Sequence, residues 1–258
     1  MVSVSVVIPC YNQGQFLAES IGSVLASDYP DLEIIVVDDG STDPETCRIL
    51  DGLDYPRTKL IRQENGGLAS ARNAGISAAA GRYILPLDAD DRIGPQYISQ
   101  AVAALEADPG LGIVYCLAEK FGAEQGPWPL SPFSRWRMGL GNIIFCSAVY
   151  RKADWQQVGG YATDLRRGWE DWDFWLSLLE LGRTVHCLDL VGFYYRKQAT
   201  SMATGMRHFT KARLHYRMLE RHRRFFGWYG ALLAPLLGPY YLLADNWFYR
   251  AIKQRMGR

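Results

Sequence analysis

Three carboxylates stand within four positions where the apolar run 83–87 ends: Asp88, Asp90 and Asp91. Like charges this close repel, so keeping them together costs free energy unless something positive sits among them. A hard divalent cation is such a partner. Mg2+ and Mn2+ prefer carboxylate oxygens and bridge from them to phosphate oxygens. A D-x-D turn, here Asp88 and Asp90, supplies two carboxylates on one side, and a diphosphate behind the cation completes the charge balance. Two other acid pairs raise the same question: Asp38-Asp39 after a Val/Ile run, and Glu170-Asp171 within WEDWD.

The elements that must position these acids follow from periodicity. Strands are expected at 3–9, 32–39, 58–64, 83–88 and 111–118. Helices are expected at 14–27, near 43–53, at 67–80 and near 95–107. Strand–helix alternation with continuous Val/Ile runs predicts an α/β, Rossmann-like, mostly parallel central sheet flanked by helices. Ligands of such sheets bind at the carboxyl ends of the strands. Those ends read Pro9-Cys10-Tyr11-Asn12, Asp38-Asp39-Gly40-Ser41 and Asp88-Ala89-Asp90-Asp91. A single polar loop is ordinarily a turn or a helix cap. Asp43 before Pro44 reads as a cap, and Asp91 as a cap of the helix that follows it. Three polar loops on one edge point instead to a ligand. There is no G-x-x-x-x-G-K-[ST], and no G-x-G-x-x-G follows the first strand, so a nucleotide here is not held by a glycine cradle. A last helix is expected over 170–181, with Trp172, Trp175, Leu176 and Leu179 on its core face. Asp171 falls in its first turn off that face, where the helix dipole favours a carboxylate.

Residues 204–258 contain eleven Lys/Arg against two Asp/Glu, a net of +9, while residues 1–203 carry −8. The chain is an acidic body with a basic tail. Five cysteines are scattered without metal spacing, which predicts reduced thiols in a cytoplasmic protein. The N-terminus lacks a basic n-region and does not read as a signal peptide.

In this order, VVIPCYNQGQFLAESIGSVLA, EIIVVDDGSTD, NGGLASARNAGI and YILPLDADD resemble the family 2 glycosyltransferases of the GT-A fold. The segment VGGYATDLRRGWEDWDFWLSLLELG is similar to that family's acceptor side, and the match runs over roughly residues 3–202. The resemblance implies an inverting, metal-dependent hexosyltransferase. Its donor would be a UDP-, GDP- or dTDP-sugar and its acceptor a saccharide or lipid-linked hydroxyl, in cell-surface polysaccharide synthesis. Pro9, Tyr11 and Asn12 would line the base and ribose pocket. Asp39 would accept from the base, supported by Asp38, with Arg72 near the base and the acids. Asp88 would meet ribose or metal, and Asp90 would ligate Mn2+ or Mg2+. Asp171 would be the catalytic base with Glu170 beside it. Trp169, with Trp172, would face the acceptor. The family often has Tyr-Arg-x-His after its last strand; here Gln198 stands where that His would be, as a weaker metal ligand. Arg196 or Lys197 would instead carry part of the diphosphate's charge. The implied layout is a glycosyltransferase domain over 1–205, its nucleotide-sugar half about 1–118 and its acceptor half about 119–205, followed by a helical extension over 206–258.

Within that extension, residues 225–244 form a twenty-residue stretch without a charge, interrupted by Pro235 and Pro239. With its basic flank it suits an interfacial segment on an anionic cytoplasmic leaflet, or a helical pair packed on the body. Aromatics segregated from the basic run argue against nucleic acid. An aspartate-nucleophile phosphatase would need an Asp where the first strand ends in PCYN, and a pyrophosphorylase a glycine-rich basic loop. A non-catalytic nucleotide-sugar-binding module stays open.

Overall fold

Val4–Cys10 (β1) and Leu32–Asp38 (β2) are buried along almost their whole length, as β-branched runs inside a two-sided sheet must be. The computed structural model describes residues 3–166, 168–198, 208–228, 230 and 235. Gly14–Leu25 (α1) follows β1, and Pro44–Asp51 (α2) follows β2, with Asp43 as its N-cap accepting from Thr46 N at 2.8 Å, as expected. Thr58–Arg62 (β3), Leu68–Ala78 (α3) and Tyr83–Pro86 (β4) complete a parallel set in the order β3-β2-β1-β4.

The other half of the sheet is mixed. Beyond β4 come Val149–Arg151 (β8), Leu111–Gly122 (β6), Thr184–Lys197 (β9) and Arg92–Ile93 (β5), with Gly126–Trp128 (β7) paired to β6. The three-residue β8 is antiparallel to both β4 and β6, so the expected strand at 111–118 does not lie beside β4. β6 and β9 run parallel, and β5 is antiparallel to β9. That last pairing brings the chain just after Asp91 against the end of β9. The helices Tyr97–Ala107 (α4), Arg135–Leu140 (α5), Lys152–Val158 (α6) and Glu170–Glu180 (α7) complete the body.

Two packing features set the site. Gly75 lets α3 rest directly on the sheet: a Cβ there would lie 2.4 Å from Val7 Cγ1 and 2.9 Å from Val37 Cγ2. Arg72, one turn earlier on the same buried face, is thereby driven under the strand ends. α7 buries Trp172, Phe174, Trp175, Leu176, Leu178 and Leu179, and so is apolar on more than the one expected face. Its first turn carries Glu170, Asp171 and Asp173. Trp169, at its N-cap, holds φ at 73°, which a bulky side chain rarely adopts.

The chain divides into two compact units, Met1–Ala199 and Thr200–Arg258. In the second, His208–Arg221 (α8) buries Leu214, His215, Met218 and Leu219, a helical period. Most of the expected interfacial segment 225–244 lies outside the described residues. Among the described residues, no helix is long and apolar enough to cross a membrane.

Candidate active site

Side chains expected to meet a nucleotide largely hold the loops at the first two strand ends. Asn12, at φ 53°, accepts from the backbone nitrogens of Thr42 and Asp43 at 2.8 and 2.9 Å, and its own N–H donates to Ser41 Oγ. This ties the end of β1 to the loop before α2. Asp38 accepts from Ser41 N at 2.8 Å. Asp39 takes Gln63 Nε2 and Gly66 N on one oxygen, at 2.7 and 2.8 Å, and Gly67 N on the other at 2.9 Å. Asp38 and Asp39 are buried, whereas the Tyr11 ring is exposed. Pro9 lies inside β1, buried and in register with Val37.

The third strand end gathers the three acids. Asp88 is part-exposed; Asp90 Oδ2 accepts from Gln198 Nε2 at 2.5 Å. Burial and the Asp88 carboxylate push Asp90 above the ordinary carboxylate range. Gln198 therefore meets Asp90 through its amide nitrogen and acts here as a donor to the carboxylate. Asp91 is not a helix cap: Gln96 occupies that position of α4, and Asp91 is buried at 1% exposure. One of its oxygens accepts from Arg196 N at 2.8 Å, while the other, fully buried, has no hydrogen-bond partner. Burial and the neighbouring Asp88 and Asp90 push its carboxyl well above the usual carboxylate range. Arg196 donates to the Asp90 carbonyl oxygen at 2.8 Å, pairs with Glu19 and lies over the Phe121 ring, so its guanidinium braces this turn.

Among the described residues no three His, Cys, Asp or Glu side chains converge as a metal cage. The donor set nevertheless fits a hard cation that shares its shell with phosphate. Asp88 and Asp90 offer oxygen only, and the orphaned Asp91 oxygen and the weakened acidity of Asp90 mark a turn short of positive charge. Mg2+ held by one or two carboxylates plus substrate phosphates needs no more from the protein.

Arg72 joins this turn to α7. Its guanidinium, 1% exposed, donates through Nη2 to Asp88 Oδ1 and through Nη1 to Glu170 Oε1, both at 2.7 Å. Next to Glu170, Asp171 is half-buried. Its Oδ1 accepts from the backbone N–H of Trp172 and its Oδ2 from Asn142 Nδ2, both at 2.8 Å. Burial, then the Glu170 charge, push its carboxyl up to about 7, with Arg72 pulling the other way. The Cys146 thiol stands 3.4 Å from Asp88 Oδ2 and is driven well up by burial and by that carboxylate. Trp172 presents no open face: it is 1% exposed and its indole N–H donates to the Met138 carbonyl at 2.8 Å. Trp169 is part-exposed, its ring 5.2 Å from that of Trp172. Asn142 and Cys146 carried no signal in the sequence, being single residues outside any recognisable motif. Gln63 was hidden in a segment expected to be strand.

Residues 5–163 match the family described as Glycosyl transferase family 2, more than half of the chain. The chain belongs to that family. Chondroitin synthase of Pasteurella multocida (strain Pm70) is 30% identical over 191 residues, which are 71% of this chain and 19% of that protein. Glycosyltransferase GlyG of Streptococcus pneumoniae is 42% identical over 125 residues, 46% of this chain and 41% of that protein. The chain spans about a fifth of the first curated relatives' length. Among solved structures, S. aureus TarS 1–349 in complex with UDP-GlcNAc superimposes with a TM-score of 0.69 at 18% identity, covering 89% of this chain and 73% of that one. That likeness supports the GT-A fold of this family 2 member.

Proposed function

We propose that this family 2 member is an inverting glycosyltransferase. It moves a sugar from a nucleoside-diphosphate donor to a hydroxyl of a saccharide or lipid-linked acceptor, in polysaccharide synthesis on the cytoplasmic side. The observation that carries the reading is the buried Arg72 bridge, which ties the strand-end acid Asp88 to Glu170, the neighbour of a carboxyl titrating near neutrality. A binding module has no use for a carboxyl poised there, whereas a general base does.

The donor lies along the strand ends, its base and ribose beside Tyr11 and the loops held by Asn12, Asp38 and Asp39. Asp88 and Asp90 would hold the cation, with Gln198 orienting Asp90; when bound, the cation neutralises charge on the diphosphate. The acceptor hydroxyl meets Asp171, with Trp169 as the available stacking face and Trp172 as its support. Asp171 takes the hydroxyl proton as that oxygen attacks the anomeric carbon. The bond from that carbon to the diphosphate oxygen breaks, and its electron pair leaves with the nucleoside diphosphate.

A donor panel tests this: thermal shift with UDP-, GDP- and dTDP-sugars, each with and without Mn2+, followed by assay of nucleotide release. UDP-N-acetylglucosamine leads the panel, because the TarS neighbour is described in complex with it. Titrating UDP by calorimetry then separates the acids. Asp39→Ala should weaken UDP binding with or without Mn2+, since it frees the loop carrying Gly66 and Gly67. Asp90→Ala should weaken only the Mn2+-dependent part. Equal affinities in wild type and both variants would remove these acids from the donor site.

We further propose that the basic second unit docks on an anionic membrane surface. Arg207, Lys211, Arg213, Arg217, Arg221, Arg223 and Arg224 face one acid, Glu220, within residues 207–224. The full chain should sediment with phosphatidylglycerol vesicles at low salt and be released at high salt. Failure to sediment at low salt would end this proposal and leave the catalytic one intact.

A further inference from the structure

Asp171 is held on its second oxygen by a residue from outside its own helix. Asn142 sits two positions after the end of α5, in the segment that leads to β8. Its side-chain nitrogen donates to Asp171 Oδ2 at 2.8 Å, and its side-chain oxygen accepts from the backbone N–H of Ile144 at 3.2 Å. The second bond decides which way the amide faces. Turned over, it would set a carbonyl against a carboxylate and leave the Ile144 N–H without its acceptor. The segment is tied to α7 a second time, four residues earlier, where the Trp172 indole donates to the Met138 carbonyl. The segment carrying Asn142 is thus tied to α7 at two points, the Met138 carbonyl and the Asn142 amide.

We propose that Asn142 is a positioning residue for Asp171: its amide, oriented by Ile144, fixes the carboxylate's second oxygen and keeps the group ionised for proton removal. The inference rests on the reading of Asp171 as the base. Besides the Trp172 N–H, which favours its charge, four side chains act on this carboxylate. Glu170 of α7 and Asp88 beyond β4 disfavour its charge, and Arg72 of α3 favours it. The Cys146 thiol, before β8, is within electrostatic reach. Asn142 adds a neutral side-chain donor to the backbone one from Trp172, and a hydrogen bond to the charged form favours that form.

Two variants isolate the donor. Asn142→Ala removes the whole amide. Asn142→Asp keeps an acceptor for Ile144 N–H and replaces only the N–H facing Asp171. Carboxyl carbon-13 NMR on aspartate-labelled full-length protein follows the Asp171 titration, assigned by the signal missing from Asp171→Asn. The midpoint should rise by about one pH unit in Asn142→Ala and further in Asn142→Asp, so that below it the ionised fraction falls roughly tenfold. The acid limb of UDP release from UDP-N-acetylglucosamine should move with it, and Asn142→Ala should recover near wild-type rates by about pH 9. Unmoved midpoints in both variants overturn the inference. So does a loss of rate in Asn142→Ala that alkali does not restore, which would place the amide's action on the acceptor. Near-normal release by Asp171→Asn would instead remove the base reading beneath it.

Discussion

Asp171→Asn should lower sugar transfer by roughly 10²–10⁴, the usual contribution of a positioned base, while nucleotide affinity stays close to wild type. The substitution keeps shape and the bond to the Trp172 N–H but removes basicity. The wild-type rate should rise with pH through about 7, where the carboxyl ionises, and the variant should lack that limb. Stability should move the other way. A carboxyl whose folded pKa is raised binds a proton in the folded state that the unfolded chain releases. Its contribution is therefore complete below the unfolded pKa and is lost as pH rises through about 7. At pH 8 the Asn variant should melt no lower than wild type. A simple helix-start acid predicts the reverse: a modest loss of melting temperature and near-normal transfer. Transfer rate, UDP affinity and melting curves on one preparation distinguish the two.

The largest stability effect should come from Arg72→Met. The side chain is 1% exposed, and its removal leaves two carboxylates, Asp88 and Glu170, facing each other without a cation. Breaking a buried pair by deleting one partner costs about 3–5 kcal/mol. Arg72→Lys should not rescue it, because one ammonium does not span two carboxylates as a guanidinium fork does. Arg72→Met/Glu170→Gln should recover part of the loss by discharging one stranded acid. Urea unfolding reads all three. An unchanged midpoint for Arg72→Met, or a double variant no better than the single, would show that the bridge is not what holds α7 to the strand end.

Much of this is legible in the sequence, and what is not has identifiable physical causes. β1, β2 and β4 declare themselves because a strand buried on both faces must be continuously apolar. β8 does not, since three residues carry no period, and so the antiparallel insertion between β4 and β6 was invisible. Arg72, Asp88 and Glu170 each stood out singly. Their bridge closes across 98 residues between Arg72 and Glu170, which no local pattern encodes. Asp91 misled because an acid before a helix is ordinarily a cap. Here the β5–β9 pairing carries Arg196 N–H to it and buries it. Trp172 belonged with the core-face residues of its helix rather than with an acceptor.

The loop at the end of β2 has a thermodynamic consequence of its own. Gly40, at φ 73°, packs where a Cβ would meet Asn65 N at 2.8 Å, and Asp39 gathers three N–H donors from the facing loop. With Asn12 latching the other side, both loops are braced by hydrogen bonds of their own, which the proposed nucleotide would meet already formed. Binding there forfeits little chain entropy, so most of the contact energy can be expressed as affinity instead of being consumed in closing the loops. The cost is versatility: walls braced by their own backbone resist reshaping for a different base.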